Sequence, residues 1–112
     1  MTYTDAISAS IMALADPTRR ALIERLRGGP LPVCDLACDM PVSRPAVSQH
    51  LRVLSDAGLL AVTPIGNRRL YSIAPDGISQ LRLYLDGLWD DALAAFVAAA
   101  KDQAKREKDA PR

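Results

Sequence analysis

Ser48, Gln49 and Arg52 share one side of a short segment, residues 43–54, which reads Ser-Arg-Pro-Ala-Val-Ser-Gln-His-Leu-Arg-Val-Leu. A hydroxyl, a carboxamide and a guanidinium at that spacing suit hydrogen bonding to base edges and phosphates in a DNA major groove, and no acidic residue interrupts them. On a helical period the opposite side carries Val47, Leu51 and Leu54, an apolar stripe for a core. Ser43 is a good N-cap, Pro45 fits a first turn and Gly58 stops the helix. An ordinary amphipathic surface helix would show the same stripe, so the flanking segments must decide between the two.

Other reactive groups are few: one histidine, His50, and two cysteines, Cys34 and Cys38. On a helix the cysteines stand at i and i+4, about 6 Å apart, which suits joint capture of a soft metal ion or As(III) better than a relaxed disulfide. Two thiols per chain still leave a third ligand to come from elsewhere. The plain alternative is two tolerated cysteines. One histidine, no Ser-His-acid grouping and no phosphate-binding glycine loop give catalysis no support, so no enzyme and no required cofactor is expected.

The elements that must position these groups fit in one small domain. The chain has 112 residues and is 49% hydrophobic but only 4% aromatic, so its core is aliphatic. No apolar run approaches the roughly 18 residues of a membrane span, and Met-Thr-Tyr-Thr-Asp lacks a secretion-signal pattern. A cytoplasmic location with reduced thiols is expected. The net charge of +1 is unevenly spread. Residues 41–75 carry Arg44, Arg52, Arg68 and Arg69 against Asp56 alone, while the segments on either side are each slightly acidic. The local excess marks where an anionic partner would sit.

Residues 5–15 read as a first helix with Ile7, Ile11 and Leu14 on one face. Asp16-Pro17 opens a second, through about Arg27, closed by Gly28-Gly29-Pro30. A short third helix, roughly 32–39, turns Val33, Leu36, Ala37 and Met40 inward. A tight turn leads from it into the helix at 43–57, making a helix-turn-helix over about 32–57. Residues 60–74 then read as a two-stranded hairpin with Gly66, Asn67, Arg68 and Arg69 at or just past its tip. Pro64 confines its strand to a sheet edge. From about Asp76 to Arg106 a long helix carries two apolar stripes, one with Leu85, Leu88 and Phe96, the other with Trp89 and Leu93. One small domain cannot cover both, which implies a partner helix, most simply from a second copy.

Ala15-Asp16-Pro17-Thr18-Arg19-Arg20, Leu36-Ala37, Ser43-x-Pro-Ala-Val-Ser-x-His-Leu51, Leu54-x-x-Ala-Gly-Leu59 and Gly66-x-Arg-Arg-x-Tyr71 follow in unbroken order. This series resembles the ArsR/SmtB family of bacterial transcriptional repressors over roughly residues 10–90. The resemblance implies a mostly α, single-domain winged helix-turn-helix of about five helices and a two-stranded wing. It also implies a homodimer paired through first and last helices (Ile7, Ile11, Leu85, Leu88, Trp89, Leu93, Phe96) on an inverted-repeat operator of double-stranded DNA. Ser48 and Gln49 become base readers, with Ser43, Arg44 and Arg52 on phosphates or base edges. Asn67, Arg68 and Arg69 act from the wing, and His50 positions the helix. The family's Cys-Val-Cys-Asp-Leu metal motif corresponds here to Pro32-Val33-Cys34-Asp35-Leu36, with the first cysteine missing. No histidine follows His50 to build a zinc site on the last helix. A winged helix that has lost DNA binding and serves protein contact would be favoured by acidic residues at positions 44, 48, 49 or 68, and none is present.

Overall fold

Each helix of the first unit begins or ends on a residue whose chemistry explains the boundary. The computed structural model describes residues 3–109, whose internal contacts fall into two units meeting between Leu81 and Arg82. In the first unit, helix α1 (Tyr3–Leu14) gives way to α2 (Pro17–Leu26) across Asp16, whose carboxylate accepts the Arg19 backbone N–H at 3.0 Å. That cap and Pro17 in the first turn start α2 where the sequence places it. Strand β1 (Leu31–Pro32) and the short helix α3 (Val33–Ala37) follow, then α4 (Arg44–Asp56).

Helix α4 has the ends expected of it. Ser43 accepts the Ala46 N–H at 3.3 Å, and Gly58 takes a positive φ of 81°. Leu59 N–H then donates to Leu54 O and Gly58 N–H to Ser55 O, each at 3.0 Å, the paired bonds of a Schellman motif. Val47, Leu51 and Leu54 are fully buried with Leu22, Leu36 and Leu59, forming one aliphatic core to which Tyr71 adds its ring.

Strands β2 (Leu60–Ile65) and β3 (Arg68–Ile73) pair antiparallel with Ile65 opposite Arg68, so the hairpin turn is Gly66-Asn67 alone. Gly66 supplies the positive φ that such a two-residue turn requires at its first position. Both arginines therefore lie on the strand, just past the tip. Pro64 sits on edge strand β2, as its missing N–H demands.

The structure adds a strand to the wing, shortens α3 and shows which face of α1 is buried. The sheet has three strands in the order β1-β3-β2, because Leu31 and Pro32 pair with Tyr71 and Leu70. Helix α3 stops at Ala37, and Cys38 is already extended (ψ 129°), followed by Asp39 in the left-handed region at φ 58°. On α1 the buried positions are Ile7, Ser10 and Ala13, whereas Ile11 is 45% exposed. Ser10 is tolerated there because its hydroxyl donates to Ala6 O at 3.1 Å, with Ala57 O also within reach.

Helix α5 (Pro75–Asp109) begins in the first unit, where Ile78 packs against the core. Gly77 lies so close to the end of α4 that a Cβ on it would sit 1.9 Å from Gly58 O. The second unit is the remainder of α5. The helix runs through the charged segment after Lys101, where Arg106 pairs with Asp102 at 3.1 Å and Gln103 donates to Glu107 at 3.1 Å. No residue on α5 is buried.

Candidate nucleic-acid interface

Burial of Val47, Leu51 and Leu54 fixes which side of α4 faces out: Ser48, Gln49 and Arg52 are exposed and His50 is half-buried. Ser48, Gln49 and Arg52 line one shallow surface with Pro45, Val53 and Asp56. Arg52 is held only loosely, 3.9 Å from Asp56 with both side chains largely exposed, so its guanidinium is free to turn to another anion.

The wing brings a second set of cations beside this helix. Arg44, from its first turn, lines a cleft of about 270 Å³ together with Asn67, Arg68 and Arg69 from the hairpin and Cys34 from α3. Arg69 also lines the adjoining cleft with Ser48 and Arg52, so wing and helix face the same space. Among the described residues neither Arg44 nor Arg69 has an ion-pair partner. Unpaired guanidiniums around a concave, apolar-floored surface are placed to take phosphate oxygens.

Several arginines that sequence reading left unassigned are structural. Arg19 donates from Nε to Ala13 O at 2.6 Å and from Nη2 to Met12 O at 3.2 Å, while Arg20 reaches Leu14 O and Ala15 O. The pair closes the end of α1. Arg25 donates to Leu36 O and Cys38 O, tying α2 to the turn of the helix-turn-helix. For Arg19 and Arg20 the one advance signal was their place just after the end of α1, and Arg25 gave none.

Asp16 has a further neighbour. The Arg19 amide pulls its carboxyl below the ordinary value, outweighing desolvation, and the charges of His50 and Arg19 add to the effect. His50 thus stands near the start of α2.

The two cysteines are free and exposed, but with the helix ended before Cys38 they no longer occupy adjacent turns. No group of three His, Cys, Asp or Glu residues able to hold a metal occurs among the described residues. The donor set therefore does not fit a resident metal ion. Cys34 instead has its Sγ 3.7 Å from Arg68 Nη2 and 3.8 Å from Asp35 Oδ1.

The family model described as "Bacterial regulatory protein, arsR family" matches residues 16–62, the stretch from the start of α2 into the wing. The HTH-type transcriptional regulator Rv2034 of Mycobacterium tuberculosis (strain ATCC 25618 / H37Rv) is 56% identical over 84 residues, covering 75% of this chain and 78% of that one. The chain belongs to the ArsR family. Among solved structures, a possible transcriptional regulator for arsenical resistance superimposes with a TM-score of 0.66 at 43% identity, covering 80% of this chain and 94% of that chain. A homodimeric winged helix-turn-helix DNA-binding domain from Mycobacterium bovis shares the fold with a TM-score of 0.63 at 24% identity, over 79% of this chain and 82% of its own. As an ArsR-family member the chain is a winged helix-turn-helix transcriptional regulator, with α3 and α4 as the helix-turn-helix and β2–β3 as the wing. No helix among the described residues is long and apolar enough to cross a membrane.

Proposed function

We propose that this ArsR-family chain acts as a homodimeric repressor that lays α4 of each copy in the major groove of a pseudo-palindromic operator. The observation that carries the reading is the exposed outer side of α4, whose one acid, Asp56, is confined to the last turn, set beside the wing arginines. In this reading Ser48 and Gln49 contact base edges, while Ser43, Arg44 and Arg52 reach phosphates or base edges. Asn67, Arg68 and Arg69 hold the flanking backbone. The dimer is supported by the large apolar side chains exposed on a single chain: Ile11, Leu85, Leu88, Trp89, Leu93 and Phe96. Ile7 has little surface left to give to a partner, being 4% exposed already. Two reading helices related by a two-fold axis would fall about 34 Å apart, one turn of duplex. A gel-shift titration of the chain's own promoter fragment against random duplex, at two salt concentrations, tests the proposal. Specific binding that weakens steeply with salt is expected, with a log–log slope near −6 for roughly six to eight neutralised phosphates; equal affinity for both duplexes overturns it.

A second reading adds a thiol switch, and the observation favouring it is the contact between Cys34 Sγ and Arg68 Nη2. Oxidation of that thiol, or its reaction with As(III) or another soft metal ion, would change the neighbourhood of a wing arginine directly. Operator affinity of the native chain and of Cys34→Ser and Cys38→Ser, each with As(III), zinc and peroxide, tests it. Identical responses of all three proteins eliminate the switch.

A further inference from the structure

On the second unit, one face of α5 is complementary to itself when reversed. Asp90, Leu93, Ala94, Val97, Ala98 and Lys101 line a shallow groove of about 490 Å³ along the helix. Read from either end, the face alternates large and small apolar residues between an acid and a base. Turned end for end about a point between Ala95 and Phe96, Asp90 falls opposite the partner's Lys101, Leu93 opposite the partner's Ala98 and Ala94 opposite the partner's Val97. Each large side chain then meets a small one, and each charge meets its opposite. The same register sets Asp86 opposite the partner's Lys105.

The charges at the two ends are available for this. Arg82 pairs with Asp86 and Arg106 with Asp102 along the helix, but Asp90 and Lys101 have no ion-pair partner among the described residues. Leu93 and Val97 are 46% and 41% exposed, so closing the groove would bury apolar surface as well as neutralise charge. At about 100° per residue the face lies roughly 150° round α5 from the stripe of Leu85, Leu88, Trp89 and Phe96, with Leu93 on the border. One partner helix covers one of these faces and leaves the other.

We infer that a second copy of this chain docks antiparallel on the Asp90–Lys101 face, joining two dimers through a contact separate from the Trp89 and Phe96 stripe. The inference rests on the dimer proposed above. Three turns of helix are well short of a standard interface, so the contact is weak and concentration-dependent.

Sedimentation analysis of the full chain over a wide concentration range provides the test, with gel shift on a single operator in parallel. The native chain is expected to pass from dimer to tetramer. Asp90→Lys or Lys101→Asp alone sets like charges opposite each other at both ends and is expected to weaken that step about tenfold. The double exchange Asp90→Lys/Lys101→Asp restores the opposite-charge pairs and recovers the native constant. All three variants keep native operator affinity as dimers. A native chain that stays dimeric at every concentration overturns the inference, as does a double variant no better than the singles. Single variants that fall to monomer also overturn it, because the face would then be the primary dimer contact. A native chain that is monomeric throughout instead removes the dimer reading itself.

Discussion

Arg68 and Gln49 differ in placement: one lies on a strand beside a cleft of cations, the other on the outer side of a helix. A guanidinium on a phosphate attracts every duplex alike, whereas a carboxamide on a base edge chooses among them. Arg68→Ala with Arg69→Ala is therefore expected to lower affinity for operator and random DNA by similar factors and to reduce the dimer's salt slope by about four, two contacts from each copy. Gln49→Ala is expected to change the preferred base at one position of each half-site. Binding to a library of operator variants checks both, and the opposite pattern would exchange the roles. Asp16 gives a pH signature. Its carboxyl sits below the ordinary 3.8, chiefly through the Arg19 amide. With the folded pKa below the unfolded one, the charged group stabilises the fold above the unfolded value, and that contribution is lost as pH falls through the folded value. The gap in thermal midpoint between the native chain and Asp16→Ala is expected to be largest near neutrality and to shrink in acid below the carboxylate range. A gap independent of pH would mean that the charge is not what caps α2. At this scale the sequence showed Ser43, Asp16 and Gly58, whose partners lie within a few residues. It hid Arg19, Arg20 and Arg25, because their carbonyl acceptors lie 5 to 13 residues away and become neighbours only after folding.

Among the elements, α4 and the wing were legible because their signals are local. A cap, a three-four stripe and a Schellman glycine define the one, and a two-residue turn defines the other. Helix α3 was overestimated because the alternation of Val33, Leu36 and Met40 continues past the point where Asp39 turns left-handed. Strand β1 was missed because two residues carry no period; only the distant pairing with Leu70 and Tyr71 makes them a strand. Leu51 is the element-scale lever, being fully buried midway along the reading helix. Leu51→Ala is expected to cost about 2–5 kcal/mol in a denaturant titration. Gly77→Ala tests the junction of α4 and α5. A methyl 1.9 Å from Gly58 O forces the backbone to shift, so a large loss of thermal stability is expected from a substitution that normally favours helix. An unchanged or raised midpoint would show that the two segments do not meet there.

Over the whole molecule, charge and apolar surface are divided along the chain. Net positive charge gathers on α4 and the wing, and exposed aromatic and aliphatic side chains gather on α5, where Trp89 is 66% and Phe96 70% exposed. Neither ring has a place in the core, so both are expected to be covered by a second copy. Trp89→Glu with Phe96→Glu should leave the first unit folded, with native far-ultraviolet dichroism, but shift the chain to monomer in sedimentation. Affinity for a two-half-site operator should fall at least a hundredfold, since one monomer grips only half of the phosphates. Retained dimerisation would place the interface elsewhere. The long helix was foreseen from its stripes to about Arg106, and it continues to Asp109 with Arg106–Asp102 and Gln103–Glu107 joined at i,i+4 in its last turns.

Strand β1 has one mechanical outcome. Because Leu31 and Pro32 are laddered to Tyr71 and Leu70, the root of α3 and the inner strand of the hairpin form one plate. If Arg68 and Arg69 hold a phosphate chain as proposed, a force that lifts them off cannot swing the hairpin alone; it must tilt the helix-turn-helix with it, so both grips would let go together.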